Sequence, residues 1–258
     1  MTTITTTRTL TLPQIGPVPL TLTDRGAGPA VLLLHGGGGP QTVEVFAELL
    51  ATDHGVRVLT PVHPGFAGTP RPDRIDSIAV LARLYAQLLS ELGLAAVTVV
   101  GNSIGGWIAA EIALLDTHTV ARVVLVDAVG LDLPATPIVD FFALSMDQVV
   151  NLSYANPDAF RIDPATLSEP AQAVMAANRV ALRTYGGTTM TDPTLLTRLP
   201  GATVPALAIW GAADRIVPPE HGHAYAHAIP HARLELIPDA GHLPQLETPD
   251  TLARLVMH

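Results

Sequence analysis

The stretch Val97–Trp107, which reads V-T-V-V-G-N-S-I-G-G-W, constrains the fold of this chain more than any other. Its β-branched start predicts a buried strand over Val97–Val100, and a helix-like segment, Trp107–Leu115, follows at once. Between them lies a G-x-S-x-G pattern, whose glycines let a strand and a helix pass each other closely. We therefore predict a sharp strand–turn–helix connection that holds the hydroxyl of Ser103 above a sheet, where it can act as a nucleophile.

Strand-like and helix-like segments alternate on both sides of this stretch. Wholly apolar or β-branched runs predict buried strands, and apolar residues at helical spacing predict helices between them. Two earlier runs alternate Thr with apolar residues and predict half-exposed antiparallel strands. This order favours right-handed crossovers, so we predict an α/β fold with a mostly parallel, doubly wound sheet of about eight strands. The predicted strands cover residues 5–12, 18–23, 30–34, 56–60, 97–100, 122–126, 206–210 and 233–237.

Residues 133–200 interrupt this alternation. They are rich in proline, contain few β-like runs and include helical patches at 141–152 and 171–185. The segment is long for a single crossover connection. We predict a helical cap, inserted after the sixth strand into the same domain as a core formed by residues 1–132 and 201–258. Ordinary crossover helices are the alternative.

Three side chains that nucleophilic catalysis needs each follow a predicted strand, in the order Ser103, Asp214, His242. The carboxyl ends of parallel strands meet at one edge of a sheet, so residues far apart in sequence converge there. A neutral histidine can take the serine proton near neutral pH, and a carboxylate can fix the histidine tautomer. We therefore predict these three as catalytic residues. Asp127 also follows a strand and remains the alternative acid.

A run of glycines follows the apolar strand 30–34, within His35–Gly39. Backbone N–H groups without side chains around them can approach an anion closely. The Lys and Ser/Thr that a phosphate-binding loop requires are missing, which argues against a nucleotide site. We predict that the N–H groups of Gly37 and Ile104 form an oxyanion hole, because Ile104 directly follows the serine at the start of a helix.

Further residues are predicted to contact the substrate. Gly38 belongs to the glycine run, and His63 lies in a loop at the same edge of the predicted sheet. Phe141, Phe142 and Met146 lie in the predicted cap, where apolar side chains can line an acyl or ring pocket. Two alternatives stay open: a structural role for His63, and cap-to-core packing for the three cap residues.

Composition excludes several classes of function. The chain has 258 residues, a net charge of −9 and no basic cluster, which argues against nucleic-acid partners. Its apolar runs are too short to cross a bilayer, so no membrane partner is expected. All 14 basic residues are Arg, which excludes lysine Schiff-base chemistry. Because cysteine and a recognisable signal peptide are missing, we expect a cytoplasmic protein. No metal or cofactor is predicted. The expected partner is a small-molecule substrate, and a homodimer stays open.

Four motifs together resemble the α/β-hydrolase fold superfamily over nearly the whole chain. They are H-G-G-G-G at 35–39, G-N-S-I-G-G at 101–106, G-A-A-D-R-I-V-P at 211–218 and A-G-H-L-P-Q-L-E at 240–247. The resemblance implies a serine hydrolase that forms an acyl-enzyme on a small carboxylic ester or related carbonyl substrate. The serine is unlike the aspartate nucleophile of the haloalkane dehalogenases and epoxide hydrolases in the same superfamily.

The G-N-S-x-G-G motif with a glycine-rich H-G loop is similar to the branch that hydrolyses carbon–carbon bonds of ring-cleavage products. That branch often has an aromatic residue after the catalytic histidine, where this chain has Leu243. It also uses a cap arginine for the substrate carboxylate, and Arg179 or Arg183 could serve. Carbon–carbon bond hydrolysis is therefore one alternative to ester hydrolysis. The others are cofactor-free lyase or perhydrolase chemistry, and ligand binding or sensing on a hydrolase scaffold.

Overall fold

The computed structural model describes residues 2–115, 117–161 and 166–258. Its strands are β1 (Thr3–Leu12), β2 (Gly16–Arg25), β3 (Ala30–Leu34), β4 (Arg57–Pro61), β5 (Val97–Asn102), β6 (Val120–Val126), β7 (Gly130–Leu131), β8 (Thr191–Asp192), β9 (Ala206–Gly211) and β10 (Arg233–Ile237). Eight of them form one sheet in the order β1-β2-β4-β3-β5-β6-β9-β10, and β7 pairs with β8 separately. β2 pairs antiparallel with β1 and with β4, and the later neighbours in the sheet pair parallel. The predicted fold class is confirmed.

Helices cover both faces of this sheet. The α-helices are α1 (Glu44–Asp53), α2 (Ile78–Glu91), α3 (Ile104–Ala113), α4 (Met146–Ser153), α5 (Glu169–Gly186), α6 (Leu195–Arg198), α7 (Pro219–Ala228), α8 (Pro244–Glu247) and α9 (Pro249–Met257). Neighbouring residues of a strand point to opposite faces. Leu32 and Leu34 of β3 therefore join the core formed with α2, α3 and α7, whereas Val31 and Leu33 join the core formed with α1 and α9. Among the described residues, no helix combines the length and the apolar character that a membrane span needs.

The parallel strands of the main sheet all end at the same edge of that sheet. The carboxyl ends of β3, β5, β6, β9 and β10 all lie there, because these strands run in one direction within the same sheet. Residues that follow them in the chain are therefore brought together in space. This edge holds the turns that the sequence analysis singles out.

The helix after Ser103 begins earlier than its sequence predicts. The prediction starts at Trp107, whereas α3 starts at Ile104 and includes Gly105 and Gly106. Glycine lowers helix propensity, so a local pattern moves the boundary away from it. Every residue of α3 is buried, and tertiary packing overrides that preference.

The predicted helical patch 141–152 is divided in two. A short 3₁₀ turn covers Phe141–Ala143, and α4 begins at Met146. Ser145 and Gln148 form a reciprocal capping box, in which the side chain of each accepts a hydrogen bond from the backbone N–H of the other. Such a cap fixes the start of a helix at the residue that follows the serine.

The segment 133–200 leaves the main sheet after β6 and returns to it at β9, and it contains α4, α5 and α6. Residues 162–165 of this segment lie outside the described residues. Helix α5 buries a face that includes Leu182 and Tyr185. The Tyr185 hydroxyl donates to the carbonyl of Pro64 at 2.7 Å, in the loop after β4. The segment is helical, as expected, and its division from the core as a cap stays a prediction.

Candidate active site

Ser103 lies in the turn between β5 and α3, in a backbone conformation that few residues other than glycine adopt. Its φ is 55° and its ψ is −115°, and such conformations cost about 1–3 kcal/mol in general. Neighbouring backbone holds the turn, because the Ser103 N–H donates to the carbonyl of Val126 at 2.9 Å and its own carbonyl accepts from Trp107 and Val129. The residue is 8% exposed. Its hydroxyl makes no hydrogen bond to any other described residue, so it is available for chemistry.

Two glycines make this turn possible. A Cβ atom on Gly101 would lie 2.0 Å from the carbonyl oxygen of Gly105, and one on Gly105 would lie 2.3 Å from the carbonyl oxygen of Leu34. Side chains cannot approach backbone so closely, so only glycine allows the strand, the turn and the helix to meet at these positions. The steric requirement that the G-x-S-x-G pattern predicts is present in the structure.

Asp214 and His242 meet at the same edge of the sheet. Asp214 Oδ1 accepts from the N–H groups of Ile216 at 2.8 Å and Val217 at 2.9 Å. Asp214 Oδ2 lies 2.8 Å from Nδ1 of His242. Both side chains are buried, with residue exposures of 3% and 7%. In this arrangement the carboxylate holds the imidazole with a proton on Nδ1, which leaves Nε2 as a base.

Asn102, the residue before Ser103, links the serine turn to the histidine loop. Its Nδ2 donates to the carbonyl of His242 at 3.0 Å, and its Oδ1 accepts from Gln245 at 3.1 Å. Among the described residues, the structure records no hydrogen bond between the Ser103 hydroxyl and the His242 imidazole. The Asn102 amide instead joins the turn that contains Ser103 to the loop that contains His242. Sequence reasoning missed Asn102, although a polar amide at the end of a buried strand was a signal.

Two backbone N–H groups near Ser103 have no acceptor among the described residues. They belong to Gly37 and Ile104. Ile104 begins α3, so its N–H has no acceptor within its own helix. Gly36 brings the glycine turn against the serine, since a Cβ atom at Gly36 would lie 3.3 Å from Cβ of Ser103. Free N–H donors beside a serine hydroxyl are the groups that stabilise an oxyanion.

His35, His63 and Tyr85 form a buried hydrogen-bond network next to the glycine turn. Nε2 of His35 accepts from the backbone N–H of His63 at 3.1 Å, so the ring proton lies on Nδ1, which donates to the Gly36 carbonyl at 2.7 Å. Nε2 of His63 donates to the His35 carbonyl at 3.0 Å, and its Nδ1 accepts from the Tyr85 hydroxyl at 2.5 Å. Burial lowers the pKa of His35 to about 4 and the pKa of His63 well below its usual range.

The contacts of His63 support a structural role for this residue. The residue is fully buried, and protein groups occupy both of its ring nitrogens. The structure therefore does not bring a free nitrogen of His63 to a substrate. Of the two readings that the sequence leaves open for this residue, the contacts favour the structural one.

Helix α5 lies directly on the glycine turn. A Cβ atom on Gly37 would lie 2.8 Å from Cδ2 of Leu182. Asn178, one helical turn before Leu182, donates from Nδ2 to the carbonyl of Gly38 at 3.0 Å and accepts at Oδ1 from the N–H of Ala67 at 2.8 Å. The carbonyl of Gly38 is thus bound to the inserted segment. Sequence reasoning missed Asn178 and Leu182, and their spacing on one helix face was the signal that could have identified them.

Three residues of segment 133–200 are predicted to contact the substrate, namely Phe141, Phe142 and Met146. The structure gives them different surroundings. Met146 begins α4 and is 40% exposed. Phe141 and Phe142 are half-buried and pack against the main core. Arg179 donates to both of their carbonyls and lies 5.2 and 5.4 Å from their ring centroids. The Arg179 guanidinium is therefore engaged, whereas Arg183 is exposed with its guanidinium 5.5 Å from the Phe142 ring centroid.

A second carboxyl, that of Asp127, follows β6 at the same edge. One potential ligand atom from each of Asp127, Asp214 and His242 lies within 4.8 Å of the others. A metal ion could bind such a group of atoms, but it would have to displace the proton that joins Asp214 to His242. The imidazole bonds to Asp214, and this contact favours Asp214 over Asp127 as the orienting acid.

The chain is similar to known proteins over most of its length. The sequence model of the Alpha/beta hydrolase family matches residues 31–255. The chain is 30% identical to the 2-hydroxymuconate semialdehyde hydrolase of Pseudomonas putida, over 91% of this chain and 88% of that protein. It is 28% identical to Lipase 1 of Psychrobacter immobilis, over 88% of this chain and 75% of that protein. A solved structure of a thermophilic esterase from Thermogutta terrifontis matches with a TM-score of 0.77 at 25% identity, covering 97% of this chain and 96% of that one.

Proposed function

The chain belongs to the alpha/beta hydrolase family, and we propose that it is a serine hydrolase that cleaves a small carboxylic ester, or a related carbonyl substrate, through an acyl-enzyme. Ser103 is the nucleophile, His242 the general base and Asp214 the acid that orients the base. The observation that carries the proposal is the 2.8 Å hydrogen bond between Asp214 and His242, at the sheet edge that also holds the strained Ser103 turn. These are the components of a proton relay for acyl transfer.

The first half of the reaction forms the acyl-enzyme. His242 takes the proton of the Ser103 hydroxyl as Oγ attacks the carbonyl carbon of the substrate. Nδ1–H of the imidazole stays hydrogen-bonded to Asp214, whose negative charge stabilises the imidazolium. The N–H groups of Ile216 and Val217 hold the other carboxylate oxygen, so the acid cannot turn away from the imidazole.

The N–H groups of Gly37 and Ile104 bind the negative oxygen that develops on the substrate. One such donor contributes about 3–4 kcal/mol to transition-state stabilisation in enzymes of this chemistry. The His242 imidazolium then protonates the leaving alcohol. A water molecule, activated by the same imidazole, attacks the acyl-enzyme and releases the carboxylic acid.

The surroundings of the site favour a small acyl group with apolar character. The side chain of Leu182 covers Gly37, and Ser103 is only 8% exposed. In this proposal residues 133–200 act as a cap over the core, and α5 moves to admit the substrate. Cytoplasmic location remains a prediction from the sequence, and a homodimer stays open.

The substitution Ser103→Ala tests the nucleophile. We expect hydrolysis of p-nitrophenyl acetate and p-nitrophenyl butyrate to fall by at least about 10³-fold, because only binding and oxyanion stabilisation remain. A fluorophosphonate probe should label the wild-type protein and leave S103A unlabelled. The exposed Ser90 in α2 provides the control, since Ser90→Ala should leave rate and labelling unchanged. An S103A variant that keeps its rate and its label would remove this serine from the mechanism.

Carbon–carbon bond hydrolysis is a second candidate, favoured by the 30% identity to 2-hydroxymuconate semialdehyde hydrolase. The contacts of Arg179 weigh against that residue as the carboxylate partner, because its guanidinium already donates to the carbonyls of Phe141 and Phe142. The exposed Arg183 is left for that role. Values of kcat/KM for p-nitrophenyl butyrate and for 2-hydroxymuconate semialdehyde distinguish the two candidates. We expect the ester to be the better substrate. A preference for the semialdehyde of more than about 10²-fold would reverse the assignment, because discrimination of that size requires a polar partner for the substrate carboxylate.

A further inference from the structure

Asp127 carries a carboxyl group that the proposed mechanism does not use. The residue is fully buried, and its Oδ1 accepts a hydrogen bond from the N–H of Gly211 at 2.8 Å. Its Oδ2 is also buried and receives no hydrogen bond from any donor in the part of the chain that the structure describes. An ionised oxygen without a donor in this position is unfavourable, whereas a protonated one can itself donate.

Asp214, the neighbouring carboxyl, has the opposite pattern of contacts. Its Oδ1 accepts from the N–H groups of Ile216 and Val217, and its Oδ2 bonds to Nδ1 of His242. Both of its oxygens are therefore held by donors. Hydrogen bonds to the charged form favour that form, so the distribution of donors places the negative charge on Asp214.

The two carboxyl groups are close enough to interact directly. In the cluster that they form with His242, one potential ligand atom from each of the three residues lies within 4.8 Å of the others. Glu247, which is also acidic, acts on Asp127 in the same direction as Asp214. Burial, followed by the Asp214 carboxylate, raises the pKa of Asp127 well above its usual range. Two carboxyl groups that share a buried site retain one proton between them.

We propose that Asp127, in its protonated form, is a positioning residue that donates a hydrogen bond to the Asp214 carboxylate. The inference rests on the proposed serine hydrolase function and extends its relay to four groups: Asp127, Asp214, His242 and Ser103. The donated hydrogen bond helps to orient Asp214 and spreads its negative charge. Because Asp127 is neutral, the buried cluster carries one negative charge beside the imidazole rather than two.

The variant Asp127→Asn keeps a hydrogen-bond donor at this position but removes the ionisable group. Its amide oxygen can accept from Gly211, and its amide nitrogen can donate to Asp214, so the contacts are retained without a titratable proton. We expect kcat/KM within about threefold of the wild-type value, and an acid-side midpoint of the pH profile within about 0.3 pH unit. Asp127→Ala loses the donor, and we expect kcat to fall by about tenfold or more, with the acid-side midpoint moved towards neutral pH.

The shift of the pH profile is the deciding measurement. If Asp127 is ionised in the wild-type protein, Asp127→Asn removes a negative charge near the imidazole, and the acid-side midpoint falls by about one pH unit or more. That result overturns the inference, as does an Asp127→Ala variant with wild-type kinetics and pH profile. If Asp127 has a purely structural role, Asp127→Ala lowers the amount of folded protein but leaves the pH profile per active site unchanged, with active sites counted by fluorophosphonate labelling. That result would also overturn the inference.

An infrared difference spectrum gives a readout that does not depend on activity. The wild-type protein at neutral pH should show the carbonyl stretch of a protonated carboxylic acid, and Asp127→Asn should lack it. The exposed Asp239 offers a matched control, since Asp239→Asn should keep both this band and the pH profile. A band of equal intensity in the wild-type protein and in Asp127→Asn contradicts the proposal. Failure of the wild-type protein to hydrolyse esters or accept the label would instead remove the proposed function, whatever the infrared result.

Discussion

Acidification should destabilise this protein through the buried histidines beside the glycine turn. His35 is fully buried, and its Nε2 accepts from the backbone N–H of His63 at 3.1 Å. A second ring proton on His35 would face that donor, so the folded protein resists protonation at this site. Burial lowers the pKa of His35 from 6.5 to about 4. The unfolded chain takes up the proton near the ordinary value, and unfolding is therefore coupled to proton uptake.

The sign and the size of the effect follow from these two values. Because the folded pKa is depressed, the stabilisation is present in full above about pH 6.5 and is lost as the pH falls towards about 4. Integration over this range gives a loss of about 2 kcal/mol by pH 5 and about 3 kcal/mol below pH 4 from His35. His63 adds a loss of the same sign, since burial also lowers its pKa well below the usual range.

Urea unfolding at about pH 7.5 and at about pH 5 measures this loss, provided that the m-value is unchanged. We expect His35→Gln to be less stable at the higher pH but to lose about 2 kcal/mol less than the wild-type protein on acidification. The difference between the two proteins cancels titrating groups that do not contact His35, whereas His63, which is bonded to His35, is part of the measured effect. His223→Gln, at an exposed position of α7, should follow the wild-type curve. Equal losses in the wild-type protein and His35→Gln, within about 0.5 kcal/mol, would refute the reasoning.

Two further substitutions test the serine turn and the helix that covers it. Gly105→Ala places a Cβ atom 2.3 Å from the carbonyl oxygen of Leu34 and should prevent stable folding, whereas Gly201→Ala enters open space and should cost less than about 1 kcal/mol. Thermal melts compare these two variants, and equal stability would contradict the packing. Asn178→Ala removes two hydrogen bonds between α5 and the core and should lower Tm by about 3–8 °C. Val180→Ala, at a position 69% exposed on the same helix, is the control; equal Tm values would mean that the amide does not hold α5 in place.

Elements with a strong local pattern were predictable from the residues. The strands Ala30–Leu34 and Arg233–Ile237 have the predicted bounds. Apolar runs and helical spacing report which face of an element is buried, and proline and glycine mark its ends. The turn at Ser103 was predictable for a stronger reason, because only glycine at positions 101 and 105 leaves room for it.

Contacts between distant elements were not predictable in this way. The side chains that cover or join the candidate site, Asn102, Asn178 and Leu182, belong to patterns that also suit ordinary buried positions. The pattern left Phe141 open to a substrate pocket or to packing between cap and core, and the structure shows that its carbonyl and its ring contact Arg179. A local pattern records burial but does not record which partner buries a residue.

The two acids at the candidate site, Asp127 and Asp214, show most clearly what the sequence determines and what the tertiary structure determines. The order of residue types along the chain already named Ser103, Asp214 and His242, and it left Asp127 as an alternative, because both acids follow strands of the same sheet. Only the folded arrangement supplies a reason to favour one of them. It directs the imidazole and two backbone N–H groups to Asp214 and leaves one oxygen of Asp127 without a donor. A carboxyl group's role depends on the donors and charges within a few ångströms of it, and packing between distant segments sets those distances.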